Sequence, residues 1–194
     1  MSINEFISKE KNRILEELFS LIRIPSVSAH QHRQPEIAQC ALRWKELLLQ
    51  AGADSAEVMA TQGNPVVFAE KKTDPSKPTV LVYGHYDVMP AEPLELWTTP
   101  AFEPEIRDGK IYARGADDDK GQSFMHLKAF EYLVASDQLP CNVKFLIEGE
   151  EEIGSVHLEA FCQANKELLK CDTVLVSDTS MLGADTPSIT TGLR

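Results

Sequence analysis

Four places in this 194-residue sequence put acid–base or metal-binding side chains where an apolar run stops or a helix begins. They are His85 with Asp87, the triplet Asp117-Asp118-Asp119, the triplet Glu150-Glu151-Glu152, and Asp178. A histidine and a carboxylate two residues apart at a strand's end lie on the same side of the pleat. This spacing lets His85 ligate a metal while Asp87 holds its other ring nitrogen. Taken singly, an acidic triplet is usually solvated surface, and a lone Asp after a strand is usually a cap or turn residue. Here the acids follow runs that read as buried strands, and carboxylates converging in one crevice repel unless cations sit among them. Oxygen and imidazole donors without thiolates suit zinc, manganese or cobalt rather than a structural Cys-rich zinc.

Other chemistries lack their signatures. The sequence has no G-x-S-x-G elbow, Walker loop, G-x-G-x-x-G or H-E-x-x-H. DDDKG does not continue into the twelve-residue layout of a calcium loop.

The elements that must position these residues follow from pattern. The stretch Val80–Pro90 is a short apolar run bounded by prolines and reads as a buried strand ending at His85 and Asp87. Ser2 with Glu5 fits a capping box for a first helix that ends near Pro25. Pro35 opens a second helix with Ile37, Ala41, Trp44 and Leu48 on one face, which makes Trp44 a core residue, and Gly52 stops it. Strands are expected over 56–60, 66–70, 102–107, 110–113, 142–147 and 173–176, with a last one over 188–194. Asp108-Gly109 marks a tight hairpin. Residues 117–121 lead into an amphipathic helix, and Gly154-Ser155 breaks the chain and caps a helix running to about Leu169. Strands alternating with helices imply an α/β sheet covered on both faces.

Composition narrows the class. The length fits one domain, and 43% apolar with 25% charged residues is ordinary for a globular chain. A net charge of −11 argues against nucleic acid and anionic membrane surfaces as partners. The first residues, MSINEFISKEKNR, have no apolar core, so no secretory signal is expected there, and no stretch nears the ~18 apolar residues of a membrane span. Cys40, Cys141, Cys162 and Cys171 are scattered, as expected of free thiols in a reducing cytoplasm.

GHYDV, an altered W-x-x-P-x-F, DGKIYARGADDDKG, EGEEEIGS and VSDTSMLG occur in this order. Together they resemble the co-catalytic zinc peptidase family of carnosinase-like cytosolic dipeptidases, carboxypeptidase G, aminoacylase and succinyl-diaminopimelate desuccinylase. GHYDVMPA, DDKG and ITTGLR place the resemblance nearest the dipeptidase branch. It implies a zinc-exopeptidase-like catalytic domain with a mixed, largely parallel sheet, and two divalent metals, zinc first with manganese or cobalt as alternatives.

Carried over residue by residue, the resemblance makes His85 a ligand of one metal, oriented by Asp87. Asp118 bridges both metals through a cis Asp118–Asp119 peptide, and Asp178 completes the first metal. Glu152 ligates the second metal, and Glu151 is the general base that takes a proton from an activated water and returns it to the leaving amine. Glu150 has no metal role in the family.

The family also uses a further histidine and a lid domain with dimer contacts, for which this sequence shows no counterpart. His30 and His32, in an early loop, read as exposed or substrate-contacting, and His126 and His157, in helices, as core-edge or surface residues. The expectation is an amino-terminal part of the catalytic domain that keeps the site of His85, Asp118 and Asp178, binds the second metal poorly and hydrolyses peptides weakly. Exposed apolar surface and non-native association are expected with it. A small peptide is the expected substrate, and a homodimer is implied for the longer family members. Two alternatives stay open: an amidohydrolase acting on N-acyl amino acids, and a non-catalytic metal-binding module.

Overall fold

In the computed structural model, which describes residues 1–181, 183, 186 and 188, the chain begins on its capping box. The Ser2 hydroxyl accepts the Glu5 N–H while the Glu5 carboxylate accepts that of Ser2, and helix α1 (Ile3–Ile22) follows. Helix α2 (Gln34–Gln50) carries its proline in the first turn, where the missing N–H costs nothing. Its apolar face buries Ile37, Ala41, Trp44 and Leu48 completely.

Five strands form the main sheet: β1 (Ser55–Met59), β2 (Val66–Lys71), β3 (Thr79–His85), β6 (Asn142–Glu148) and β7 (Thr173–Val176). Their order is β1-β2-β6-β3-β7. The pairs β1·β2 and β2·β6 are antiparallel, whereas β3 runs parallel to both β6 and β7. A separate hairpin joins β4 (Glu105–Arg107) to β5 (Lys110–Tyr112). Its turn residues Asp108 and Gly109 have φ of 50° and 74°, as a two-residue turn matched to strand twist requires.

Helix α3 (Lys120–Ala135) joins α1 and α2 on one face of the main sheet, where Leu21, Ile37, Trp44, Leu127, Phe145 and Ile147 share the larger core. The other face carries α4 (Leu158–Ala164) and α5 (Lys166–Leu169), packed through Phe161 against Leu81 and Leu146. Covering both faces explains the near-continuous apolar runs of β2 and β6. No helix among the described residues is long and apolar enough to cross a membrane.

Three expectations need correction. Strand β3 stops at His85, so Asp87 lies in the loop beyond it. Ser155 does not cap the following helix, because its hydroxyl donates to the buried Glu148 carboxylate instead. That helix is also two pieces, interrupted at Asn165, whose side chain donates to the Phe161 carbonyl. The strand expected over 188–194 lies outside the described residues except for Ser188. All four cysteines are free, and Cys40 is the one fully buried.

Candidate metal centre

Parallel pairing brings three chain segments to one edge. In the β3·β6 register His85 stands opposite Glu148, so the segment 149–152 emerges beside it. In the β3·β7 register Tyr83 pairs with Val176, which sends Asp178 out at the level of His85. This is the carboxyl edge of the parallel strands, where α/β sheets bind ligands. The fourth segment arrives at the start of α3. Asp119 is buried there, and its carboxylate accepts the His85 N–H at 3.0 Å and the Ser123 hydroxyl. That clamp holds the loop against β3 and leaves its neighbour Asp118 facing the site. The Asp118–Asp119 peptide is cis.

Lys120 braces the same loop from behind. Its ammonium is fully buried and donates to the carbonyls of Leu21 (2.9 Å) and Ile24 (2.7 Å), where α1 runs out of partners. Burial pushes this lysine's pKa down.

The His85 side chain is fully buried. Its Nδ1 lies 3.0 Å from the Asp87 carbonyl oxygen and 3.4 Å from the Asp87 carboxylate. The backbone carbonyl is therefore the closer orienter of the ring. The carboxylate instead accepts the backbone N–H groups of Glu151 and Glu152, each at 3.2 Å.

With Nδ1 donating to Asp87, Nε2 presents its lone pair to Asp118 at 3.1 Å, Asp178 at 3.6 Å and Glu151 at 3.8 Å. A lone pair facing three carboxylates is repulsive, and either a proton or a cation must lie between them. Ligand atoms of His85, Asp118 and Asp178 all fall within 4.8 Å of one another, a grouping found once among the described residues. This set of one imidazole and two carboxylates fits a divalent cation of the zinc, manganese or cobalt kind.

The protonation states carry the same crowding. Burial alone would lower the His85 pKa, but the Asp87 hydrogen bond and the charges of Asp87, Asp119 and Glu151 raise it to about 10 in the metal-free protein. Asp119 rises to about 6, chiefly through burial. Glu151 is raised by burial and by the charges of Asp178, Asp87 and Asp118, with His85 opposing. Glu152 is raised by burial and then by Asp118, and its carboxylate accepts the Met89 N–H at 3.1 Å.

Glu150 stands apart. Buried, it accepts the Asn64 N–H at 3.0 Å and the His157 ring at 2.8 Å, tying the loop before β2 to the segment after β6. Glu148, also buried, accepts the Tyr83 hydroxyl at 2.6 Å and is raised by burial.

The structure thus brings His85, Asp87, Asp118, Glu151, Glu152 and Asp178 together. It also gives a role to Asp119, which the sequence placed only in the triplet and the cis peptide, and to Lys120, which sequence reasoning passed over. Their signal was present in DDDKG, where three adjacent acids cannot all point one way and a lysine follows at the first helical position.

Similar chains are found among known proteins. The chain is 34% identical over 202 residues to the beta-Ala-His dipeptidase of Rattus norvegicus, covering 98% of this chain and 40% of that protein. It is 34% identical over 203 residues to the Cys-Gly metallodipeptidase of Schizosaccharomyces pombe, covering 98% of this chain and 43% of the relative. The chain thus spans about two fifths of the length of these curated relatives.

Among solved structures, human carnosine dipeptidase 1 superposes with a TM-score of 0.82 at 32% identity, covering 90% of this chain and 40% of that one. An M20 family metallo-carboxypeptidase from Sulfolobus solfataricus superposes with a TM-score of 0.81 at 39% identity, covering 87% and 38%. The sequence profile of Peptidase family M20/M25/M40 matches residues 81–191, more than half the chain and every residue of the candidate metal centre, and the chain belongs to that family.

Proposed function

We propose that this chain forms the metal-binding part of a metal-dependent dipeptidase. The observation that carries the reading is the convergence of His85, Asp118 and Asp178 on one point with Glu151 beside it. His85, Asp118 and Asp178 would hold one cation, and Asp118 with Glu152 would serve a second. A bound divalent cation supplies Lewis acidity, polarising the scissile carbonyl and acidifying a water.

Glu151 is the general base: it takes the water's proton and later gives it to the leaving amine. A raised carboxylate pKa suits that double duty, because a base that must also act as an acid works best nearer neutrality. Asp87 fixes the Glu151 backbone and contributes to holding the His85 ring. The Asp118 side chain is 57% exposed and that of Glu151 is 36% exposed, so a short peptide reaches both.

One three-residue donor group lies among the described residues, which supports the reading of one tightly held cation. The test is cobalt or zinc stoichiometry by titration, together with hydrolysis of Cys-Gly, β-Ala-His and an N-acetyl amino acid. The expected result is one tightly held cation, slow metal-dependent cleavage of a dipeptide in preference to the acyl amino acid, and a Glu151→Gln chain that retains its cation but loses about 100-fold in rate or more. Two tightly held cations overturn the one-site reading. Wild-type hydrolysis by Glu151→Gln overturns the assignment of the base.

A further inference from the structure

Asp178 lies beyond the last residue of β7, Val176, so the ladder does not hold it in place. The segment that carries it is gripped from the side by α3. His126 Nε2 lies 2.8 Å from the Ser177 hydroxyl. Gln122, four residues earlier and so on the same helix face, lies against the same segment. With its amide nitrogen turned inward it donates to the carbonyls of Ser177 and Thr179, at 3.1 Å for the latter. These contacts flank Asp178 on both sides. The helix that opens at the Asp118 loop therefore also braces the other carboxylate of the donor group, from a separate strand.

We propose that His126 and Gln122 are positioning residues for Asp178, setting how its carboxylate meets the cation without touching the cation themselves. The inference rests on the metal-centre reading above. Neither residue acts on substrate. Each holds backbone or hydroxyl next to a ligand, and loss of such outer contacts weakens metal affinity by roughly 10- to 100-fold.

The test uses Co2+ as probe, reading affinity by calorimetric titration and ligand geometry by the visible absorption bands, with thermal unfolding followed on each variant. His126→Leu and Ser177→Ala are each expected to weaken Co2+ binding roughly 10-fold and to shift the bands. The double variant should be no weaker than the worse single one, because both remove one contact. His126→Gln, which can present an amide nitrogen to Ser177, is expected to restore affinity and bands.

Wild-type affinity and spectrum in His126→Leu overturn the inference, as does full additivity in the double variant. If His126→Leu does not fold, Gln122→Ala and Ser177→Ala carry the same expectation. Asp178→Asn and His85→Ala serve as references. If they lose Co2+ while His126→Leu keeps it, the metal centre stands and this inference falls. If they keep Co2+, both fall.

Discussion

The Asp87 carboxylate accepts the backbone N–H of Glu151 at 3.2 Å, and its second oxygen accepts that of Glu152 at the same distance. One buried residue after β3 thereby sets the backbone of the proposed base and of a proposed ligand, two adjacent residues that β6 delivers from 64 and 65 positions away. Asn in its place keeps one acceptor and turns an amide N–H toward the other donor. Asp87→Asn is expected to destabilise the fold by about 1–3 kcal/mol, read from the urea midpoint. It should also slow turnover by more than it weakens cation binding. An unchanged midpoint would show that these two hydrogen bonds hold nothing.

Proton release should accompany metal uptake. His85 is pushed to about 10 in the metal-free protein, against about 6.5 when unfolded. A raised pKa stabilises the fold fully below about pH 6.5, and this stabilisation is lost as pH climbs toward 10. A cation must displace that proton, so at pH 7 binding should release about one proton and affinity should rise with pH. Calorimetry in buffers of different ionisation enthalpy measures this directly. No buffer dependence would mean that the imidazole is not the group displaced.

Glu150→Gln separates structure from chemistry within the acidic triplet. Its buried carboxylate accepts the Asn64 N–H, the His157 N–H and the His157 ring. Losing that charge is expected to cost about 1–3 kcal/mol in thermal or urea unfolding while cation stoichiometry stays at the wild-type value. A lost cation would return Glu150 to the metal centre.

Gly84 sits immediately before His85, with the Asp119 carboxylate and Ser123 hydroxyl directly over it. A Cβ there would overlap Ser123 and come within 2.7 Å of Asp119. Gly84→Ala is expected to cost about 3 kcal/mol or to prevent folding, since the obstructing atoms belong to a buried clamp with nowhere to move. Thermal unfolding decides it, and a midpoint within about 2 °C of wild type would contradict the close approach.

Much of this was legible in the residues. The Ser2–Glu5 capping box, a proline in a first turn, a two-residue turn and apolar runs act over short distances, and all four located their elements. That the stretches holding His85, Asp117–Asp119, Glu150–Glu152 and Asp178 could meet was legible because each follows a strand or opens a helix, while the choice of Asp118 within its triplet came from the family resemblance.

Less visible was what each side chain does once packed. Asp117, Asp118 and Asp119 look alike in the sequence, yet Asp118 faces the site while Asp119 is 1% exposed and serves the backbone of His85. The division between Glu150 and Glu151 has the same origin, because it depends on Asn64, a residue 86 positions away. Ser155 shows the limit most plainly. Its local pattern favoured a cap, but its hydroxyl is drawn to the buried Glu148 carboxylate as a second donor beside Tyr83, a contact that the local sequence does not show.

The donor atoms of the proposed metal centre come from stretches that meet only in the folded chain, His85 and Asp118 being 33 residues apart. An ion held between them behaves as a removable crosslink, tying off a loop that the unfolded polymer would otherwise explore freely. The midpoint of thermal unfolding should therefore climb with the logarithm of free cation concentration once the ion is in excess. The protein's endurance to heat becomes a setting of its ionic surroundings as much as of its core.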